Sequence, residues 1–439
     1  MPTLNTLPNE LLLLIFQDLD PPSPIAVSCL CKRINAVALA QFVSPHTDFY
    51  GIRSTAPSLR FGGSSRLPFN SIAALRLSFS MRCPVCFLSF QFSQGEYIKE
   101  MEQVTRLFKT ERVLQSLFLH FPGLPALFQP PPSYSPMDCC AAICSLLCHL
   151  RCVRCHTLDI NNAPQVEYPE GAKFDGPIVN TLKDVTLSRA HFMFSDFFRD
   201  WTLSTMMLSP LTQVSLVDVD IRALLPSLSL PSLKKLDIWC PDLHLSRVTP
   251  FLSRHPTIGN LMLRVISDDA FLAPGSLPEL KDFSSTVECL SRLLSSPDAM
   301  PQLQRVTCYG SIILSTITPP PSSAVQMLFQ NVALHDSIAA LDVPLSDLNV
   351  SEEWLSVTPR YEHLLTGITT LYVDLSMTAR TEGAVRQRII ESIVLFPKVE
   401  TLRLFGWPRC EEFARDIKAA YPRLQRIISG LTDISQSIT

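Results

Sequence analysis

The cysteines carry the densest chemistry in this chain. Cys83 and Cys86 bracket a Pro-Val pair, and Cys152 and Cys155 bracket Val153-Arg154 just before His156. Each is a C-x-x-C pair, the unit from which zinc sites are assembled, and Cys152 to His156 also has the spacing of a c-type haem attachment motif. Neither chemistry is expected. Paired zinc half-sites stand about 15 to 20 residues apart, whereas roughly 65 residues separate Cys86 from Cys152. Haem attachment needs export, yet no basic region precedes the apolar stretch Leu11 to Phe16 and no clear cleavage site follows it. Fourteen cysteines without a secretory leader imply reduced thiols in the cytoplasm or nucleus. Cys140, Cys144 and Cys148 recur every fourth residue after Pro136, one stripe of a helix, where thiols act as small core residues. The expectation is no metal and no cofactor.

Other constellations are equally unproductive. The nine histidines are scattered, and no H-E-x-x-H, G-x-S-x-G or EF-hand pattern occurs. Asp268-Asp269 and Glu352-Glu353 are adjacent acidic pairs of the kind found in solvated turns, and the four tryptophans are dispersed. Glycine is scarce (14) against 36 prolines, and no phosphate-cradling glycine motif appears. The chain is therefore expected not to be an enzyme. A net charge of −3 without a basic block removes the electrostatic footprint of nucleic-acid or anionic-membrane binding. The longest nearly unbroken apolar run, Cys139 to Leu150, is too short to span a bilayer. With 46% hydrophobic and 18% charged residues, and a mean hydropathy of +0.20, the composition points to surface that a protein partner covers.

The elements behind these residues fall into two parts. Near the start, Pro8 and Glu10 favour a helix N-terminus, and Asp20-Pro21-Pro22 ends that helix after Leu19. Ser23-Pro24 opens a second helix through Leu30, and a third is expected from Cys31 to about Phe42. So small a bundle cannot bury Leu11, Leu12, Ile15, Phe16 and Leu19 among themselves. Its apolar surface docks either on the rest of the chain or on an external partner.

Leu7-Pro8-x-Glu10-Leu11, Ile15-Phe16 and Leu19-Asp20 resemble the first half of an F-box, and Val27-Ser28-Cys29-Leu30-Cys31-Lys32-Arg33 its second half. The resemblance runs from about Leu4 to Tyr50, with Ile34 standing where an aromatic commonly follows the Lys-Arg pair. It implies a module that docks on a Skp-type adaptor within a cullin-RING ubiquitin ligase. Leu7, Pro8, Leu11, Ile15, Phe16 and Leu19 would be the adaptor contacts or their immediate support.

After a Ser-, Arg-, Gly- and Pro-rich stretch from Gly51 to Pro68, a pattern repeats: apolar residues at i, i+3 and i+5, often with Pro at i−2. It fits Ile72-Leu75-Leu77, Leu114-Leu117-Leu119, Leu182-Val185-Leu187, Leu211-Val214-Leu216, Leu233-Leu236-Ile238 and Ile258-Leu261-Leu263. It continues through Leu303-Val306-Cys308, Ile338-Leu341-Val343, Ile368-Leu371-Val373 and Val399-Leu402-Leu404, with weaker copies near Cys155, Leu280 and Leu424. Side chains two apart share one face of a strand, and the intervening segments have helical patterns. One strand and one helix per 20 to 30 residues is the pattern of a leucine-rich repeat solenoid. The array is similar to the degenerate leucine-rich arrays that follow F-boxes, particularly in fungal proteins, although the Asn that usually follows the strand is absent. A plain α/β domain of another type is the competing architecture.

The expected fold class is thus α/β: a short three-helix F-box at 1–50, a linker at 51–68, and a leucine-rich repeat solenoid at 69–439, with parallel strands inside and helices outside. With i+3 and i+5 inward, positions i+2 and i+4 must face out. They are Arg76, Asp159, Lys235, Asp237, Asn260, Met262, Arg305, Asp342, Tyr372 and Arg403. Mixed charge with an aromatic suits a protein partner and not nucleic acid. Two functions remain open: an F-box substrate receptor, or a repeat scaffold whose F-box-like segment merely caps the solenoid.

Overall fold

A computed structural model describes residues 7–17, 33–34, 37, 58–62, 69, 72, 87–93, 95–109, 114–121, 135–163, 166–168, 170–309, 322–344, 365–374, 390, 393, 396–405, 410–429 and 432–435. The chain divides into two compact units, Met1–Leu224 and Leu225–Thr439. The first holds helix α1 (Asn9–Gln17), strands β1 (Ser58–Phe61) and β2 (Phe87–Gln91), α2 (Tyr97–Phe108), β3 (Ser116–His120), α3 (Pro136–Val153), β4 (Thr157–Asn161), β5 (Asp184–Ser188), α4 (Arg199–Leu208) and β6 (Gln213–Val217). The second holds β7 (Lys235–His244), α5 (Leu245–Ser253), β8 (Asn260–Ile266), β9 (Asp282–Thr286), α6 (Val287–Leu293), β10 (Arg305–Tyr309), α7 (Ser322–Ala333), β11 (Ala340–Pro344), β12 (Thr370–Asp374), β13 (Thr401–Phe405), α8 (Cys410–Ala420), β14 (Arg426–Ser429) and β15 (Thr432–Asp433).

Among the described residues every strand within each unit pairs in parallel with its neighbour in sequence, except that β15 runs antiparallel to β14. This is the leucine-rich repeat architecture. The register puts equivalent residues opposite one another, so Leu236 faces Leu261, and Leu371 faces Leu402. Strands β3, β4, β5, β10 and β13 alternate half-buried and buried residues, with i+3 and i+5 inside as the pattern requires. Where the inward residue is polar it is satisfied: Ser285, fully buried, donates to the Leu263 carbonyl at 2.7 Å.

The recurrent proline has a structural reason. Leu233, Leu280, Leu303 and Val399 each donate a backbone N–H to the carbonyl three residues earlier, closing a turn that delivers the chain to its strand. Pro231, Pro278, Pro301 and Pro397 occupy the second position of these turns, where a fixed φ near −65° is already correct. The first residue of the turn is buried too. His255 and His335 fill it in two repeats, at 1% and 5% exposure. His255 accepts the Leu230 N–H at Nε2 (2.8 Å) and donates from Nδ1 to the Phe251 carbonyl (2.6 Å), which fixes a neutral ring, and burial lowers its pKa. These are core histidines. At the other end of β4, β5 and β6, Asn162, Arg189 and Asp218 adopt φ between 51° and 53°, turning the chain out of the sheet.

One expectation needs correction here. The segment 51–68 is not only a linker, because its residues 58–61 form β1, paired with β2, so the array begins before Pro68. The strand that pairs with β1 is Phe87–Gln91, where Leu88 and Phe90 face inward; of the Ile72-Leu75-Leu77 copy only Ile72 is described, in a helical position. Here the interior is aromatic: Phe61 stacks on Phe90 at 4.9 Å, and Phe92 meets Phe121 at 4.8 Å. Of the second and third N-terminal helices, only positions 33, 34 and 37 are described, and Leu19 lies outside the described residues.

Candidate protein-binding surfaces

Helix α1 offers the first surface. The Pro8 carbonyl accepts the Leu12 N–H at 3.1 Å, the first intrahelical bond, so proline starts the helix at no loss of a donor. Leu12 and Phe16, four residues apart, are buried with Ile34 in a small core that Leu7 and Val37 flank. Ile34, the residue after the Lys-Arg pair, thus belongs to this core. Arg33 ties the two halves together, donating to Asn9 Oδ1 at 3.1 Å and to the Leu7 carbonyl. The opposite face is bare. Leu11 (47% exposed), Leu14 (58%) and Ile15 (38%) form an i, i+3, i+4 stripe, with Leu13 (37%) beside it.

The expected adaptor residues are thus sorted into two layers. Pro8, Leu11 and Ile15 are exposed, whereas Phe16 is buried and Leu7 partly buried, supporting the stripe from below. Leu14 was missed, though it is the most exposed of them. Its place three residues after Leu11 was the available signal.

The strand face of the repeats is the second surface. Lys235 and Asn260 are exposed; Asp159, Asp237, Met262, Arg305, Asp342 and Arg403 are half-buried, all on the outward face as expected. Lys235 stands beside Asn260, Asp237 beside Met262, Asp342 beside Tyr372, and Tyr372 beside Arg403. Arg76 lies outside the described residues. Tyr372 needs correction as a contact: it is only 8% exposed, because Arg305 and Arg403 lie over its ring at 4.5 and 5.2 Å.

A third outward row, at i+6, escaped the sequence reading, which stopped at i+4. It carries His120, Trp239, Arg264, Tyr309 and Phe405. The Arg264 guanidinium carbon lies 4.2 Å from the Trp239 ring centroid and 4.3 Å from that of Tyr309. Phe87 and Phe118, in the first two rows of the first unit, stack at 4.5 Å. Continuing the period-two alternation by one step would have found the third row.

Beside Phe118, Asp159 has a buried Oδ1 with no hydrogen-bond partner among the described residues, and desolvation raises its pKa from 3.8 to about 6. The folded chain holds this proton up to about pH 6, while the unfolded chain releases it near 3.8. Stability at this site is unaffected below the lower value, falls as pH rises between the two, and stays reduced above the upper one. Asp159→Asn is therefore expected to raise the melting temperature at pH 7.5 by a few degrees. The gain should shrink as pH is lowered from 6 towards 4, and thermal melts across that range check it. A pH-independent gain would show that desolvation is not the cause.

The cysteines behave as thiols of the repeat interior. Ser135 and Asp138 form a capping box at the start of α3, with Pro136 in its first turn. Along the helix Cys139 and Cys140 are buried and Cys144, Cys148 and Cys152 half-buried, while burial pushes the Cys144 thiol to about 12. Cys155 fills the buried first position of a repeat, its thiol also pushed to about 12 by burial. Cys83 and Cys86 lie outside the described residues. Among the described residues no three His, Cys, Asp or Glu side chains are grouped to hold a metal, and no helix is long and apolar enough to cross a membrane.

A family model described as F-box-like matches residues 4–43. No curated protein matches the chain. Among solved structures, the chain is similar to a leucine-rich repeat-containing protein, LegL7, from Legionella pneumophila, at 11% identity over 59% of this chain and 88% of that one, with a TM-score of 0.35. A likeness this distant carries no argument, and the fold assignment stands on the strand register itself.

Proposed function

We propose that this chain, an F-box-like protein with a leucine-rich repeat array, is the substrate-recognition subunit of an SCF-type cullin-RING ubiquitin ligase. A protein-interaction adaptor is what the two parts support directly. In the finer reading, the N-terminal module docks on a Skp-type adaptor and the strand face captures a target protein. The carrying observation is the bare Leu11, Leu14 and Ile15 stripe on a helix whose other face is packed, within the residues matched as F-box-like. An apolar stripe that its own bundle leaves open gains most by burial against a partner.

The chain itself contributes no catalytic group in this role. Ubiquitin transfer belongs to other subunits, and the chain holds a target in position. It works in the cytoplasm or nucleus without a cofactor, which suits a chain of fourteen cysteines. Affinity purification of the full chain, followed by blotting for the Skp-type adaptor and the cullin, tests the role. Recovery of both supports it. Recovery of target proteins with neither would favour the scaffold reading, in which the N-terminal helices only cap the array.

A further inference from the structure

On the strand face of the second unit three arginines are held by aromatic rings, with no carboxylate partner among the described residues. Arg264 lies between Trp239 and Tyr309. Arg305 and Arg403 lie over Tyr372, and Arg305 also donates to the Tyr372 hydroxyl. Off that face Arg292 pairs with Asp269, and at the terminal strand β14 Arg426 pairs with Asp433. No carboxylate pairs with Arg264, Arg305 or Arg403 among the described residues, although Asp237, Asp282 and Asp342 share their face. Asp282 instead accepts from the Asn260 amide at 3.0 Å. The Nε atoms of Arg264 and Arg403 are buried without a hydrogen-bond partner among the described residues.

A guanidinium stacked on aromatic faces keeps its charge and its in-plane N–H edge while losing conformational freedom before any ligand arrives. That edge matches a carboxylate bidentately, and the immobilisation already made lowers the cost of binding. Trp239, 37% exposed, adds an aromatic surface of the type that anchors protein interfaces. Arg264 is on β8 and Arg403 on β13. At roughly 4.8 Å per strand they stand about 24 Å apart, the reach of about seven extended residues.

We infer that this face takes an extended acidic segment of the target protein, its carboxylates anchored at one end by Arg264 between Trp239 and Tyr309 and at the other by Arg305 and Arg403 around Tyr372. The inference rests on the proposal that the strand face captures the target, and it adds the chemistry of what is captured. Three arginines with no carboxylate partner among the described residues are the reason for assigning the ligand the opposite charge.

Fluorescence anisotropy on the full-length chain tests it, with a fluorescein-labelled peptide bearing a pair of glutamates at either end of a short Ser-Ala spacer. A second peptide replaces every glutamate by glutamine, and a third carries phosphoserine instead. The glutamate peptide should bind, the glutamine peptide should not, and added salt should weaken binding. Arg264→Gln and Arg403→Gln should each weaken it about tenfold or more, as expected for loss of a charge-assisted contact. Equal binding of the glutamine peptide overturns the proposal, and because that comparison uses the unaltered chain it holds even if a variant is unstable. Binding of the phosphoserine peptide alone also overturns it, as does full binding by both folded variants. If Lys235→Glu impairs target capture while the glutamate peptide fails to bind, the strand face still captures the target and only the acidic assignment falls.

Discussion

Leu11→Asp or Ile15→Asp is expected to abolish adaptor pull-down, with Leu14→Asp doing the same. Each places a charge in the middle of a stripe that must become dry on docking, and an unpaired charge there opposes burial directly. Loss of a central apolar anchor costs interfaces about 2 kcal/mol or more, so binding should fall at least about 30-fold. The three positions are exposed while Leu12 and Phe16 hold the bundle, so circular dichroism and the melt of the array should not change. Leu12→Asp is the contrasting control, since it strikes the small core and should lose adaptor binding together with the fold of the N-terminal module. If a fragment beginning at residue 51 captures the adaptor as well as the full chain, the assignment of α1 fails.

The two layers of β7 are expected to respond oppositely. Leu236 is 1% exposed and meets Leu261 across the strand pair, so Leu236→Ala removes buried methyl groups from a stack that cannot close the gap. The cost should be about 2–5 kcal/mol. Denaturant or thermal unfolding reads this directly. Lys235, the preceding residue, is exposed and makes no ion pair among the described residues, so Lys235→Glu is a surface change within about 0.5 kcal/mol. That variant should instead weaken target capture. A Lys235→Glu melt that drops as far as that of Leu236→Ala would mean that the inward and outward assignments of this strand are exchanged.

Much of the architecture was legible because two physical periods are strong here. Apolar residues at i+3 and i+5 must share a face, and a proline at the second turn position precedes β7 to β10, β13 and β14, so β3, β5 to β8 and β10 to β13 followed from spacing, with weaker copies at β4, β9 and β14. The first two strands were hidden for different reasons. β1 lies in a segment whose Ser, Arg, Gly and Pro content outweighs four strand residues, and β2 is apolar at Phe87, Leu88 and Phe90, which blurs its alternation. The apolar face of α1 was legible, but which leucines it exposes was not: four consecutive leucines have no pattern until a core at Leu12, Phe16 and Ile34 selects one side. On the strand face, sequence gave the direction of Tyr372 correctly and its accessibility wrongly. Coverage by Arg305 and Arg403 depends on side chains reaching across strands, which no linear spacing records.

The short antiparallel turn-back of β15 on β14 has a consequence for solubility. A parallel array leaves its last strand with one unpaired row of amides and carbonyls, a template onto which another molecule's strand can add. Here Ile428 and Ser429 are paired with Asp433 and Thr432, and Asp433 is held by Arg426 at 3.1 Å. The exposed residues Thr432 and Asp433 thus put a reversed direction and a carboxylate where an incoming parallel strand would have to register. The two residues of β15 thus oppose growth of the sheet from one molecule into the next along β14.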